Sequence, residues 1–189
     1  MDKMKYALAC CFLLLFGVSA FSQTDSNDHK SVADVFNASL SSAEREFVSA
    51  AEAMPSDKYS FAPTNGEFKG VRTFALQVRH VASANYEFAS VILGEKNPVE
   101  MGSQENGSDA LKSKDEIVKY LKDSFVYLHK ALGSLNEGNL VTPIKSPWGK
   151  GTITRLQIAI LSESHPFDHY GQMVEYLRMN GTIPPASRR

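Results

Sequence analysis

Apolar side chains recur along this chain at spacings of three and four residues, the period of a helix buried on one face, in four successive stretches. Val32, Phe36, Leu40, Ala43, Phe47, Ala51 and Met54 form the first, which Pro55 closes. Val71, Phe74, Val78, Ala82, Asn85, Phe88 and Ile92 form the second, which ends at Gly94. A further stripe on the same segment, Leu76, His80, Ala84 and Val91, covers another face. A helix apolar over so much of its circumference belongs deep in a bundle.

Ser113-Lys114-Asp115-Glu116 is a capping box, serine at the N-cap and glutamate three residues on. It opens a third helix with Ile117, Leu121, Phe125, Leu128, Leu132 and Leu135 on one face and an expected end near Gly138. The fourth should start at Thr152 or Thr154 and bury Leu156, Ile160, Phe167, Val174 and Leu177 before the stop at Asn180-Gly181. Between these two, residues 140–150 hold two prolines and Trp148-Gly149, which reads as a short extended excursion. Residues 101–109, rich in Gly, Ser and Asn, read as a mobile loop. No repeat and no strand-rich half interrupts the pattern. The expected fold is all-α, an antiparallel four-helix bundle with a short extended insert before the last helix.

The first 22 residues stand apart. Lys3 and Lys5 precede an apolar stretch from Ala7 to Val18, and Ala20-Phe21-Ser22 places small residues where a signal peptidase cuts. The expected product is exported, periplasmic or secreted, with one domain over residues 23–189 and no membrane segment after cleavage. Removal of the leader takes Asp2, Lys3 and Lys5, leaving 18 basic against 20 acidic side chains, a net of −2. Such a chain has no basic stripe for nucleic acid. Cys10 and Cys11 also leave, which excludes a disulfide, a cysteine nucleophile and a cysteine metal site from the mature domain. No Gly-x-Ser-x-Gly elbow, phosphate loop or dinucleotide fingerprint is present. Asn37, Asn106 and Asn180 each open an Asn-x-Ser/Thr triplet.

The chemistry lies with the histidines. His165 and His169 are four residues apart, roughly 40° around a helix and one turn along it, so both imidazoles can converge on one metal ion. A stable site for a borderline metal wants a third ligand. His29 sits in a polar stretch and His129 at the edge of the third helix's apolar face, whereas His80 lies midway along the most apolar helix.

Arg72-Thr73-Phe74, His80-Val81-Ala82 with Asn85, His165 and His169-Tyr170-Gly171-Gln172, Tyr176-Leu177-Arg178 and Gly181 with Pro184-Pro185 together resemble the DinB-like superfamily, from about Asp34 to Ser187. The resemblance implies an up-down-down-up four-helix bundle in which His80, His165 and His169 hold a divalent metal, usually nickel or zinc. It also implies chemistry that includes thiol-dependent transferases and isomerases. Two features depart from that pattern. One is the leader, which removes the chain from the thiol-rich cytosol. The other is Pro166, which should kink the last helix or restart it at His165.

Three imidazoles leave a coordination position open, as catalytic zinc sites do. An ion there could activate water or polarise a carbonyl. The expected activity is hydrolysis of a small molecule, with a non-catalytic metal- or ligand-binding bundle, or a thiol-dependent S-transferase or isomerase, as alternatives. Glu163 and Asp168 flank the histidine pair and could accept an imidazole N–H, and Gln172 shares its stripe and could touch a ligand. Glu87, seven residues after His80, lies about 10 Å along the axis, far for direct chemistry. Tyr170, Tyr176 and Trp148 read as core or pocket wall. The bundle's apolar faces leave room for a homodimer.

Overall fold

Each long helix begins where a side chain satisfies the free N–H groups of its first turn. Ser31, Ser113 and Thr154 form capping boxes with Asp34, Glu116 and Gln157, and Thr73 accepts from the Leu76 N–H. The computed structural model describes residues 29–188, so the leader expected over residues 1–22 lies outside the described residues. The helices are α1 (Val32–Ala53), α2 (Phe74–Leu93), α3 (Lys114–Leu132) and α4 (Arg155–Met179). Gly94 ends α2 in the left-handed conformation (φ 70°), where its N–H returns to the Ser90 carbonyl.

Polar bonds between helices fix their directions. Lys114 at the start of α3 donates to carbonyls at the end of α1, and His129 near the end of α3 meets Asn37 and Glu44, so α1 and α3 are antiparallel. Asn85 donates to Ser124 and Tyr127 to Glu95, so α2 runs parallel to α3. Arg155 bonds to the Ile92 carbonyl and Tyr176 to the Arg72 carbonyl, which turns α4 against α2. The order is up-down-down-up, with α1 and α4 parallel through Ser39 and Glu163. The chain is the expected all-α four-helix bundle. Phe47, Phe74, Leu121, Phe125, Ile158 and Met173 fill the space between the helices. No helix among the described residues is long and apolar enough to cross a membrane.

Of three local expectations, the extended insert before α4 holds and two need correction. α3 stops at Leu132 rather than near Gly138, because the Gly133–Asn139 segment turns on itself through Asn136 and Asn139 side chains, although Leu135 stays buried. The extended insert is a hairpin, β1 (Pro143–Lys145) antiparallel to β2 (Thr152–Thr154), with Ile144 opposite Ile153. On α4 the buried stripe is Ile158, Ala159, Ser162, Pro166, His169, Met173 and Leu177. Ile160 and Phe167 lie largely in solvent. Leu177 is buried and Leu156 and Val174 are partly buried as expected, but polar residues occupy the middle of the true stripe, so apolar spacing misplaced Ile160 and Phe167.

Pro166 neither breaks nor restarts α4, which runs unbroken through it. Its ring is buried in the bundle interior, so the helix carries a residue without the N–H of a normal turn. An interior proline costs about 3 kcal/mol relative to alanine, and loss of two buried methylenes costs about 1.6 kcal/mol. Pro166→Ala should therefore gain about 1–1.5 kcal/mol, a rise of several degrees in the unfolding midpoint at about 2–4 °C per kcal/mol. Metal affinity, followed in the same variant, should fall several-fold if the proline aims the adjacent His165 (roughly the cost of a slightly misdirected ligand). An unchanged midpoint would show that the helix bears no proline penalty.

Candidate metal centre

α2 brings His80, and α4 brings His165 and His169, to one point on the α2–α4 interface. Donor atoms of the three lie within 4.8 Å of one another. His80 Nε2 and His165 Nε2 are 3.2 Å apart. Nitrogen donors at about 2.0–2.1 Å from a tetrahedral ion stand roughly 3.3–3.4 Å apart, so this pair already has the spacing a shared ion requires. The three rings pack edge to face, with centroids 4.6, 4.8 and 5.1 Å apart.

The remaining ring nitrogens show which atoms face inward. His80 Nδ1–H donates to the Glu105 carbonyl at 3.1 Å, and His169 Nδ1–H donates to Gln77 Oε1 at 2.6 Å. Each of those bonds leaves Nε2 with its lone pair towards the cluster. Gln77 is itself oriented, since its amide N–H donates to Gln172 Oε1 at 2.8 Å. His165 packs against the edge of Phe88, and its Nδ1 is buried with no hydrogen-bond partner. Three imidazoles crowded together with an orphaned nitrogen are costly as a structural device, because buried polar atoms are nearly always paired. As a set of neutral nitrogen donors they suit a divalent ion.

Burial pushes the His165 pKa down to about 3 and the His169 pKa down to about 4, and neighbouring histidines and Arg72 push the same way. His80 is also lowered, first by burial and then by Arg72, with the Glu105 carbonyl opposing. The lone pairs are thus available throughout the neutral range. In the metal-free protein an unfolded histidine protonates near 6.5 while these stay neutral when folded. Stability should be constant above that pH and fall as pH drops from 6.5 towards 4, by about 1.4 kcal/mol per pH unit for each histidine held neutral. Thermal unfolding in chelator across that window checks it, and a midpoint that rises on acidification would contradict it.

The flanking carboxylates sit elsewhere. Glu163 accepts from Ser39 on α1 at 2.9 Å, its other oxygen is buried without a partner, and burial raises its pKa. Asp168 is exposed and reaches the site only as a nearby charge that raises the His165 pKa slightly. Gln172 is engaged by Gln77. Glu87 is half-buried with its pKa raised by burial and by Glu105, while the neighbouring Trp148 opposes. Trp148 lies edge-on to Phe88 at 6.2 Å, Tyr176 donates to the Arg72 carbonyl, and Tyr170 packs against the core. His29 is exposed, and His129 ties α3 to α1. Among the sequons, Asn106 is buried and accepts from Arg72.

Two contributors escaped the sequence reading. Gln77, one turn before His80, shared that histidine's face and carried a signal that could have been used. The Glu105 carbonyl carried none, because a backbone acceptor has no residue signature. It belongs to the 101–109 segment, which is tied onto α2.

The sequence model of the DinB superfamily matches residues 39–173, and the chain belongs to that superfamily. A crystal structure of a DinB-like protein from Bacillus subtilis superposes with a TM-score of 0.60 at 19% identity, covering 82% of this chain and 99% of that one. A DinB-like protein from Bacillus cereus gives a TM-score of 0.64 at 17% identity, over 79% and 93%. A conserved protein from Enterococcus faecalis gives 0.60 at 15%, over 80% and 98%. Those identities speak for the shared fold alone. No protein with a curated description matches the chain.

Proposed function

We propose that this chain is an exported divalent-metal protein that acts on a small molecule, with hydrolysis as its reaction class. The observation that carries the reading is the convergence of three neutral imidazoles with no fourth protein ligand among the described residues. Structural sites are usually closed by a fourth protein ligand, whereas catalytic ones keep a position open. Bound there, nickel or zinc supplies a Lewis acid for water or a carbonyl. Gln77 and the Glu105 carbonyl hold two imidazoles in the tautomer that offers Nε2, and Phe88 shields the third from water.

A cleft of about 530 Å³, a volume suited to a small ligand, opens between the C-terminal half of α2 and the hairpin. Glu87, Met101, Lys145 and Arg155 are among its walls. None of the three histidines lines it. The link is indirect, through Glu87, whose neighbour Phe88 touches His165.

A second reading, a non-catalytic metal- or ligand-binding bundle, is favoured by one specific observation. Among the described residues no carboxylate bonds to any of the three imidazoles, so no carboxylate stands as the acid or base that hydrolysis wants. The test is a panel of esters, amides and thiol–electrophile pairs offered to metal-loaded mature protein. Chelator-sensitive turnover of an ester or amide supports the hydrolase. Turnover confined to thiol pairs would replace it with the transferase, and stoichiometric metal with no turnover would replace it with the binding module.

A further inference from the structure

Gln104 and Glu105 are consecutive non-glycine residues with positive φ, 52° and 60°. Residues with a Cβ seldom adopt that conformation, and it persists only where the surroundings over-determine it. The determinants are visible. The Gly107 N–H donates to the Met101 carbonyl at 2.7 Å and closes the loop, and a Cβ on Gly102 would overlap the Gly107 carbonyl. Arg79, buried in α2, donates to the Gly107 carbonyl at 3.0 Å and to Asp109 at 2.8 Å. Arg72, just before the α2 cap, grips the loop on both sides of Glu105. Its Nε donates to Asn106 Oδ1 at 2.8 Å and its Nη2 to the Gln104 carbonyl at 3.1 Å. Between those two anchors the Glu105 carbonyl is turned onto His80 Nδ1–H.

The geometry points to Arg72 as a positioning residue. By clasping residues 104 and 106 it holds the Glu105 carbonyl on His80, fixes that imidazole as the Nδ1–H tautomer, and so leaves Nε2 free to bind an ion. Only the last consequence rests on the metal reading above; the tautomer is a property of the metal-free protein. A planar fork is needed, because two acceptors on either side of one residue must be reached in fixed directions. An ammonium keeps the charge but cannot present that fork. Arg72→Lys therefore separates the clasp from the electrostatic effect of Arg72 on the histidines.

The experiment uses mature protein with ¹⁵N-labelled histidine at pH 7.5, as wild type, Arg72→Lys and Asn106→Ala. Imidazole nitrogen shifts in the metal-free state report the His80 tautomer, and a Zn²⁺ titration against a competing chelator reports affinity. Wild type should show His80 as Nδ1–H. Both variants should show a tautomer mixture and bind Zn²⁺ about 10-fold more weakly, within the range that loss of an outer partner of a ligand produces. Their unfolding midpoints should stay within about 2 °C of wild type, since the loop adds little to the core. His80 remaining Nδ1–H in both variants would overturn the proposal. So would lost affinity with the tautomer unchanged. If Arg72→Lys does not fold, Asn106→Ala decides alone. If wild type binds no Zn²⁺, the metal reading falls and the tautomer comparison still decides the clasp.

Discussion

Replacing His80, His165 or His169 with alanine should abolish tight binding of a divalent ion, and replacing His29 or His129 should leave it intact. Loss of a partner one bond away from a ligand weakens metal binding about 10–100-fold, so loss of a ligand itself should cost at least about 100-fold. Two imidazoles are too few donors for a stable centre, and no other His, Cys, Asp or Glu among the described residues completes the cluster. The controls are chosen for what they already do. His129 is committed to Asn37 and Glu44 across the α1–α3 interface, and His29 is exposed ahead of α1. A chelator-competition titration with each variant, at equal fold content by circular dichroism, reads the result. Equal losses in the controls and the three would place the ion elsewhere.

Gln77→Leu should weaken metal binding by about 10–100-fold without touching a ligand. Gln77 is 2% exposed, and its carbonyl oxygen is the acceptor for His169 Nδ1–H. Leucine has similar bulk, so packing survives, but the imidazole N–H is left buried and unpaired. The ring is then free to turn, and its tautomer is no longer set. Gln77→Glu keeps an acceptor at that position and gives up the bond to Gln172. It should hold the affinity near wild type. Recovery in the glutamate variant separates a positioning role from simple disruption, because both changes remove the same amide. Equal weakening in both variants would mean that the Gln77–Gln172 bond, not the acceptor for His169, is what matters.

Much of this architecture was legible because local signals agreed with the global one. The apolar stripes of α1 and α3 match their buried faces nearly residue for residue, from Leu40 to Met54 and from Ile117 to Leu132. The Ser113 box and Gly94 mark helix ends where capping chemistry puts them. α4 was harder to read because its buried face is the functional one. Ser162, Pro166 and His169 interrupt the apolar pattern there, while Ile160 and Phe167 carry apolar character into solvent. The same helix shows that a proline need not end an element, because Pro166 is buried within an uninterrupted α4.

The three histidines could be singled out by residue type and spacing, but their supports could not all be found that way. Glu163 and Asp168 were the natural partners by proximity in sequence, and the helix turns the first towards Ser39 and leaves the second in solvent. The acceptors that the structure supplies come instead from another helix and from a loop 25 residues beyond His80. The spacing of Gln77 from His80 places it on the right face, but its pairing with His169 and the Glu105 carbonyl's pairing with His80 have no sequence period. Tertiary geometry alone creates them.

X-ray absorption at the metal edge, on protein loaded with one equivalent of Zn²⁺ or Ni²⁺, tests the central claim most directly. The account predicts a first shell that includes three imidazole nitrogens, at about 2.0–2.1 Å for zinc, with the outer-ring scattering that histidine gives. It also predicts that His80→Ala lowers that imidazole count or fails to take up the ion. A shell of oxygen donors without imidazole, unchanged in His80→Ala, would contradict it.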